Sequence, residues 1–424
     1  MSGDLAGEFW AGFGVTDEAI RLAEAAEERL EERFREIDGV AWHNQNKTLA
    51  AMRAERISEG HFGYASGYGY GDDGRDALER VFARVFGAES ALARAQIISG
   101  THALTVALGG LLLPGDGLLS AFGAPYDTLL GVIGVRPRRG SLAERGVTYR
   151  QVEPLADGAP DYPSIASAIT PKTRVVLIQR SRGYSLRRTL TVAEIGRIIA
   201  CVKSVSPYAV CVVDNCYGEF TERGEPCDAG ADLSVGSLIK NPGGCLAPVG
   251  GYIAGKTEYV ERVACVLTAP GLGAEVGPSL GMTRLFAQGL FAAPSVTAGC
   301  LKGAALAAEV FARLGYGVSP GPLDTRSDIV QTIVLGNPGK LTAFCRAIQA
   351  ASPVGGDAAP EPWPMPGYDC DIIMAAGGFV SGSSAELSAD APVREPYAVY
   401  LQGGMSYYHI KTGVLAAACA VGRR

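Results

Sequence analysis

A chain of 424 residues is too long for one ordinary core, and its 47% apolar and 19% charged content describes a well-buried globular protein, not a disordered one. A net charge of −6 gives no basic field for nucleic acid, so no nucleic-acid partner is expected. No apolar run reads as long enough to span a bilayer and the acidic, helical first 30 residues are unlike a signal peptide, so the reading is no membrane and a cytoplasmic location. The ten cysteines are scattered, several within apolar runs, and the four histidines stand apart. The expectation is buried, reduced thiols and no metal site.

Residues 16–37 predict a helix, with Ile20, Ala23, Ala26, Leu30, Phe34 and Ile37 on one face and Asp17 and Glu18 at its positive end. Asp38-Gly39 is expected to stop it, and a second helix to run from about Gln45 to Ile57. This arm, residues 1–60, is too short to fold alone and should pack on the main body or on a second subunit. In His61–Arg75 glycine alternates with tyrosine. The glycines allow close backbone approach to a ligand and the hydroxyls are donors for an anion; a flexible surface loop is the equal alternative. Asp76–Phe86 follows as a helix with Leu78, Val81, Phe82 and Val85 at helical spacing.

Ala91–Ile98 reads as a strand, Ser99-Gly100-Thr101-His102 as a small polar turn, and Ala103–Leu112 as a helix. Strand, turn and helix start make an anion site, because backbone N–H groups and the helix dipole face the same point. His102 reads as a packed or hydrogen-bonded histidine, not a base. Gly117–Phe122 is a second strand, and Tyr126 beyond it could lay its ring on a planar cofactor or be an ordinary turn tyrosine. Val147–Val152 and Arg174–Gln179 are further strands around a helix at Ile165–Ile169, with Arg180-Ser181-Arg182 facing the expected pocket. Thr191–Val205 is a helix burying Ile195, Ile198, Ile199 and Val202. The alternation over residues 91–254 predicts a doubly wound, mainly parallel sheet. It holds no dinucleotide or Walker-type glycine motif.

Two strands carry the chemistry. Val210–Val213 ends at Asp214 and Asn215, and the mostly apolar run from Asp232 ends in Lys240, followed by Pro242 and glycines. Parallel strands present such residues at their carboxyl ends. A lysine among apolar neighbours is expected to have a lowered pKa, so that its amine condenses with an aldehyde. An aspartate at the neighbouring strand end would hold a pyridine nitrogen protonated. Together they are the signature of a pyridoxal phosphate (PLP) site; a snorkelling surface lysine is the alternative. Beyond Gly255, Thr257–Leu267 and Ser295–Leu314 are helices around a glycine-rich connection, Ala269–Gly277. Residues 61–294 form the large domain and 295–424 a smaller α+β domain, with strands at Asp328–Leu335 and Tyr397–Gln402, helices at Lys340–Ala350 and Ile410–Cys419, and a loop at Ser352–Gly367. Arg394 is a candidate fork for a substrate carboxylate, or a surface arginine paired with an acid.

Taken together, Gly67–Tyr70, Gln96–His102, Pro125–Thr128, Gln179–Tyr184, Val213–Phe220, Ser237–Gly244 and Gln402–Gly404 make the chain resemble the methionine gamma-lyase / aluminium-resistance family from about residue 20 to its end. The resemblance implies an α/β, fold-type-I PLP-dependent transferase fold, with a large domain on a mainly parallel sheet and a smaller α+β domain. It implies Lys240 as the Schiff-base lysine and Asp214 as partner of the ring nitrogen. Ser99, Gly100 and Thr101 would form the phosphate turn, with Ser237 adding a hydroxyl. Tyr126 would stack on the ring and help protonate a leaving group; Arg182 and Arg394 are the substrate-binding candidates. Tyr68 and Tyr70 would reach the phosphate of a neighbouring subunit, implying a homodimer or homotetramer with shared active sites. Two departures stand out: Cys245 where a third glycine is expected, and an aromatic stretch from His61 to Ser66. The implied activity is α,γ-elimination on a small L-amino acid with a leaving group at Cγ. That group is a thiol, as in methionine or cystathionine, or a halide giving an unsaturated or alkynyl product. The alternatives are γ-replacement, β-elimination, transamination, or a non-catalytic PLP-binding stress protein.

Overall fold

The computed structural model describes residues 10–365 and 368–422; expectations for residues 1–9 and for the end of the Ser352–Gly367 loop at 366–367 fall outside them. The chain divides into two compact units. One comprises 43–183 and 187–293; the other comprises the described residues up to Trp42, the short stretch 184–186, and those from Pro294 onward.

The first unit is built on a sheet of β1 (Ser90–Arg94), β2 (Gly117–Ser120), β3 (Thr148–Gln151), β4 (Thr173–Gln179), β5 (Val210–Asp214), β6 (Leu233–Ser237) and β7 (Gly251–Gly255). Their order is β1-β7-β6-β5-β4-β2-β3. β2 to β6 pair in parallel and β7 runs antiparallel to both β6 and β1. The central strands are near-continuous apolar runs because both faces are covered. In β5, Val210 and Val212 enter one cluster while Cys211 and Val213 enter the other; in β4, Val175 and Leu177 oppose Val176 and Ile178 in the same way. That is the period of two that a strand imposes. Helices α3 (Gly100–Leu111), α4 (Asp127–Ile133) and α7 (Thr257–Leu267) cover one face; α5 (Tyr162–Ala168) and α6 (Val192–Val205) cover the other. A third cluster joins α2 (Asp73–Val85) to Tyr252 and Phe286. Each fully buried Leu, Ile, Val or Phe contributes about 1.5–3 kcal/mol. Thr191 caps α6 in a reciprocal box with Glu194, which fixes its start at the expected residue.

Two helices differ from expectation. Helix α1 runs unbroken over Asp17–Ala54, through Asp38 and Gly39. A mid-helix glycine costs only about 1 kcal/mol. Downstream, Asn44 and Thr48 are fully buried and Ala51 nearly so. Asn44 Nδ2 donates to the carbonyls of Phe220 (3.2 Å) and Glu222 (2.9 Å). Tertiary contacts thus outweigh the local stop signal. Helix α8 spans Thr283–Arg313 with Pro294 inside it, so it begins well before the expected Ser295. It is also the helix that, contrary to the sequence reading, is long and apolar enough to cross a bilayer; 72% of its most apolar window is buried, as in a core helix.

In the second unit, β8 (Gly317–Ser319), β9 (Gln331–Val334), β10 (Trp363–Pro364), β11 (Asp371–Ala376), β12 (Ser388–Pro392) and β13 (Ala398–Gln402) form an antiparallel sheet ordered β10-β11-β12-β13-β9-β8. Its core joins Ile333, Ile373, Ala389, Val399 and Leu401 to Leu341, Phe344 and Ile348 of α9 (Pro338–Ala350) and to Ile410, Val414 and Leu415 of α10 (Tyr407–Val421). Ala23, Ala26 and Leu30 of α1 enter the same core, which is where the apolar face of the first helix is spent. Cys211, Cys216, Cys245, Cys300 and Cys345 are buried, and no disulfide joins any of the ten cysteines.

The turn after β6 is pinned by backbone-to-backbone contact. A Cβ on Gly244, whose φ is +52°, would lie 2.2 Å from the Gly289 carbonyl oxygen on α8. Gly244→Ala therefore combines left-handed strain with a clash against an unyielding helix backbone. The expected loss is about 3 kcal/mol of stability, read by denaturant unfolding. A loss below about 1 kcal/mol would show that α8 yields.

Candidate active site

The carboxyl ends of the parallel strands bring the chemistry-bearing residues to one edge. Asp214 closes β5 in register with Val235 of β6 and Gln179 of β4. Ser237 closes β6, and Lys240 follows one short turn later, before the helical turn Asn241–Gly243. Gly244 and Cys245 are both left-handed, with φ of 52° and 61°. The expected third glycine at 245 would sit there without strain, whereas the cysteine is held in a conformation costing about 1–2 kcal/mol.

Lys240 is partly buried, and its Nζ lies 3.4 Å from the centroid of the Tyr217 ring. Burial works against the ammonium charge, but Tyr217, Cys216 and Asp214 outweigh it, and the amine's pKa is raised. This corrects the expectation of a lowered value. That expectation counted only apolar neighbours; the folded chain surrounds the amine with the Tyr217 phenol, the Cys216 thiol and the Asp214 carboxylate. Asp214 is only 3% exposed, and burial raises its pKa. The Cys216 amide at 3.2 Å, the Cys216 thiol, Lys240 and Arg187 offset part of that cost. A buried carboxylate in this condition is a socket for a cationic N–H.

Helix α3 starts at Gly100 beneath this group. Ser99 caps it, accepting the His102 amide at 3.1 Å, and His102 Nδ1 accepts the Ile98 amide at 3.2 Å, a structural role. A Cβ on Gly100 would lie 3.3 Å from Cys216 Sγ and 3.4 Å from Ser237 Cβ, so the helix start adjoins the ends of β5 and β6. Ser237 Oγ is buried and has no hydrogen-bond partner among the described residues. Tyr126 Oη donates to Thr101 Oγ1 at 3.0 Å, and the Tyr126 amide donates to Gln179 Oε1 at 2.8 Å, which fixes the tyrosine over the same edge. Burial and the Asp214 charge push its phenol well up, so it stays protonated.

Arg180 and Arg182 are both buried. Arg180 ties the segment after β5 together: it donates to Asn215 Oδ1 (2.7 Å), Thr221 Oγ1 (3.2 Å) and Glu222 Oε1 (2.8 Å). Its role is structural. A Cβ at Gly218 would meet its Cδ at 2.4 Å, which is why that position is glycine. Arg394 is exposed, in the other unit, in the turn after β12. Tyr68 and Tyr70 are 70% and 62% exposed, their rings stacked at 5.7 Å. Their loop is anchored, not loose: Gly67, Gly69 and Gly71 are left-handed, Gly277 N donates to Tyr68 O at 2.9 Å, and Arg75 Nη1 donates to Gly69 O at 3.0 Å.

Sequence reasoning gave no role to Tyr217 or Glu219. Glu219 is fully buried; Tyr252 Oη donates to its Oε1 at 3.0 Å, and Asn215 Nδ2 donates to Tyr252 Oη (3.2 Å) and Glu225 Oε2 (3.0 Å). Burial, with the Glu225 charge adding to it, pushes the Glu219 pKa from 4.5 up to about 8. The folded chain therefore holds a proton that the unfolded chain has released. The stability this gives is complete at low pH and is lost as pH rises towards about 8. Glu219→Gln keeps an acceptor for Tyr252 and removes the titration. Between about pH 5 and pH 8 the wild type should lose stability relative to the variant, by at most roughly 1.4 kcal/mol per pH unit. Parallel melting curves across that range would show that Glu219 does not titrate.

The family model described as methionine gamma-lyase matches residues 19–421. The Bacillus subtilis (strain 168) protein YnbB, itself uncharacterised, is 46% identical over 385 residues, 90% of this chain and 91% of that one. A carbon-sulfur lyase involved in aluminium resistance from Clostridium novyi NT superposes with a TM-score of 0.95 at 45% identity, covering 99% of each chain. A candidate cystathionine beta-lyase involved in aluminium resistance from Listeria monocytogenes gives 0.92 at 47% identity, covering 94% of this chain and 98% of that one.

Proposed function

From the premise that this chain belongs to the methionine gamma-lyase family, whose members are fold-type-I PLP-dependent lyases, we propose that it is a PLP-dependent carbon–sulfur lyase acting at Cγ of a small L-amino acid. The observation that carries the reading is the group at the strand ends: Lys240, the buried Asp214, the orphaned Ser237 hydroxyl and the start of α3. These residues fit the cofactor's parts. Asp214 offers a carboxylate to a ring N–H; Ser237 Oγ and the amides of Gly100 and Thr101 offer donors to a phosphate. When bound, the cofactor supplies an electron sink for the substrate's Cα.

The chain's own residues supply the rest. Lys240 is the attachment point and, once freed by the substrate amine, carries protons at Nζ, for which it must first be neutral. Tyr126, a protonated phenol, would help hold the cofactor's ring and would donate a proton to a departing thiolate. A halide would leave without that proton. Arg182 and Arg394 are the candidates for the substrate carboxylate. The exposed Tyr68 and Tyr70 would complete the phosphate site of a second copy of the chain, making the working unit a homodimer or homotetramer.

The test is to reconstitute the protein with PLP and offer methionine, cystathionine, homocysteine and γ-halo amino acids. Release of 2-oxobutanoate together with a thiol supports elimination at Cγ. A swapped amino group or a replaced side chain would instead assign transamination or γ-replacement, and no turnover of any amino acid would overturn the enzyme reading. A second reading, elimination at Cβ, is favoured by the name given to the Listeria relative, and pyruvate released from cystathionine would select it.

A further inference from the structure

Tyr217 has a backbone that few residues adopt, and its place in the fold explains why it does so. It follows Asp214, Asn215 and Cys216 at the end of β5, with φ at 71°, a left-handed conformation that costs a non-glycine residue about 1–2 kcal/mol. The strain is held in place from outside the segment. Asn241 Nδ2, the residue next to Lys240, donates to the Tyr217 carbonyl (3.1 Å) and to the Glu219 carbonyl (3.0 Å). The Gly218 amide closes the turn on the Asn215 carbonyl at 2.9 Å, and Arg180 fills the space where a side chain at 218 would stand. One consequence is a ring face set 3.4 Å from the Lys240 Nζ, at full cation–π contact.

We propose that Tyr217 is a positioning residue for Lys240: its ring face holds the ammonium before the amine has bonded to a cofactor. The inference rests on the reading of Lys240 as the attachment point and adds what happens to that lysine when it is free. A cation parked on an aromatic face stays in the site, pre-aimed and protonated, instead of swinging into solvent. It must give up its proton, and the ring contact with it, before it can attack a carbonyl carbon. Tyr217, with the Cys216 thiol and the Asp214 and Glu219 carboxyls that share its surroundings, therefore raises the pH at which the free amine becomes nucleophilic.

The test reads the amine directly, in cofactor-free full-length protein. Trace acetic anhydride acetylates the neutral Nζ, releasing acetate and the amine's proton, and mass spectrometry gives the rate at Lys240 against pH, with the exposed Lys172 as internal reference. In the wild type, Lys240 should reach half-maximal labelling at higher pH than Lys172. Tyr217→Gly removes the ring and suits the left-handed backbone. It should raise Lys240 labelling at a fixed mildly alkaline pH about tenfold, the scale of a desolvated cation–π contact. Tyr217→Phe keeps the ring face and should stay within about threefold of wild type. Equal midpoints for Lys240 and Lys172 in the wild type, needing no variant to fold, would overturn the proposal. So would labelling of Tyr217→Gly at the wild-type rate, or of Tyr217→Phe at the Tyr217→Gly rate. A parallel arm, pre-incubated with PLP, tests the underlying reading separately: Lys240 should be protected. Absence of protection would sink the cofactor assignment while the cofactor-free arm still decides the role of Tyr217.

Discussion

Reconstituted with PLP, Lys240→Ala protein is expected to hold no cofactor that borohydride can fix to the chain and to turn over no amino acid, while unfolding at a temperature close to wild type. The lysine supplies the only amine on the turn between β6 and Asn241–Gly243, and nothing else on that turn forms a covalent bond with an aldehyde. The fold should tolerate the change because Lys240 spends its interactions on the functional group: its charge rests on the Tyr217 ring and in the fields of Cys216 and Asp214, and the turn itself is held by Asn241 and the glycines. Mass spectrometry after borohydride reduction, and product release, measure the outcome. A cofactor fixed elsewhere on the chain or residual lyase activity would relocate the attachment point.

Asp214→Asn should separate binding from chemistry. The amide is isosteric and neutral, so the cofactor should still seat at the helix start and on Ser237. Catalysis should fall about a hundredfold or more, because a preorganised charge that keeps the ring nitrogen cationic is gone. Burial raises the Asp214 pKa even beside the Lys240 and Arg187 charges, so the cofactor-free folded chain gains nothing from that carboxylate's charge. Cofactor-free Asp214→Asn should therefore be at least as stable as wild type. Steady-state kinetics on the saturated enzyme and thermal unfolding of the cofactor-free form check both halves. Turnover within about threefold of wild type would show that Asp214 does not face the ring nitrogen.

The strand ends are legible because β5 is an apolar run and β6 a mostly apolar one, short enough for buried strands and each followed by polar chemistry. Helix α7 was found at Thr257–Leu267, the expected residues, since its apolar spacing is undisturbed. The continuous α1 was hidden: Asp38-Gly39 carries a stop signal, and the contacts that override it, from Asn44 to the carbonyls of Phe220 and Glu222, join residues far apart in the chain. The charge state of Lys240 was hidden for a related reason. What surrounds an amine depends on a turn that begins more than twenty residues earlier, and only the fold brings Tyr217 beneath it. One signal was present: the glycine at 218, between an acid-tipped strand and two bulky residues, marks a tight turn with something packed against it. Arg180, expected with Arg182 to face the pocket because it stands just past a strand end, instead turns its guanidinium to Asn215, Thr221 and Glu222 inside the protein.

The close approach of Gly243 and Gly244 to Gly289 carries a lesson for anyone scanning this gene by saturation mutagenesis. Those three positions touch no reacting atom, yet each admits only a hydrogen on its α carbon, because another peptide unit occupies the space beyond. They should score as intolerant as the lysine itself. A map of functional loss would then draw a ring of false catalytic positions around the true one, and only measuring protein abundance alongside turnover would tell the two kinds apart.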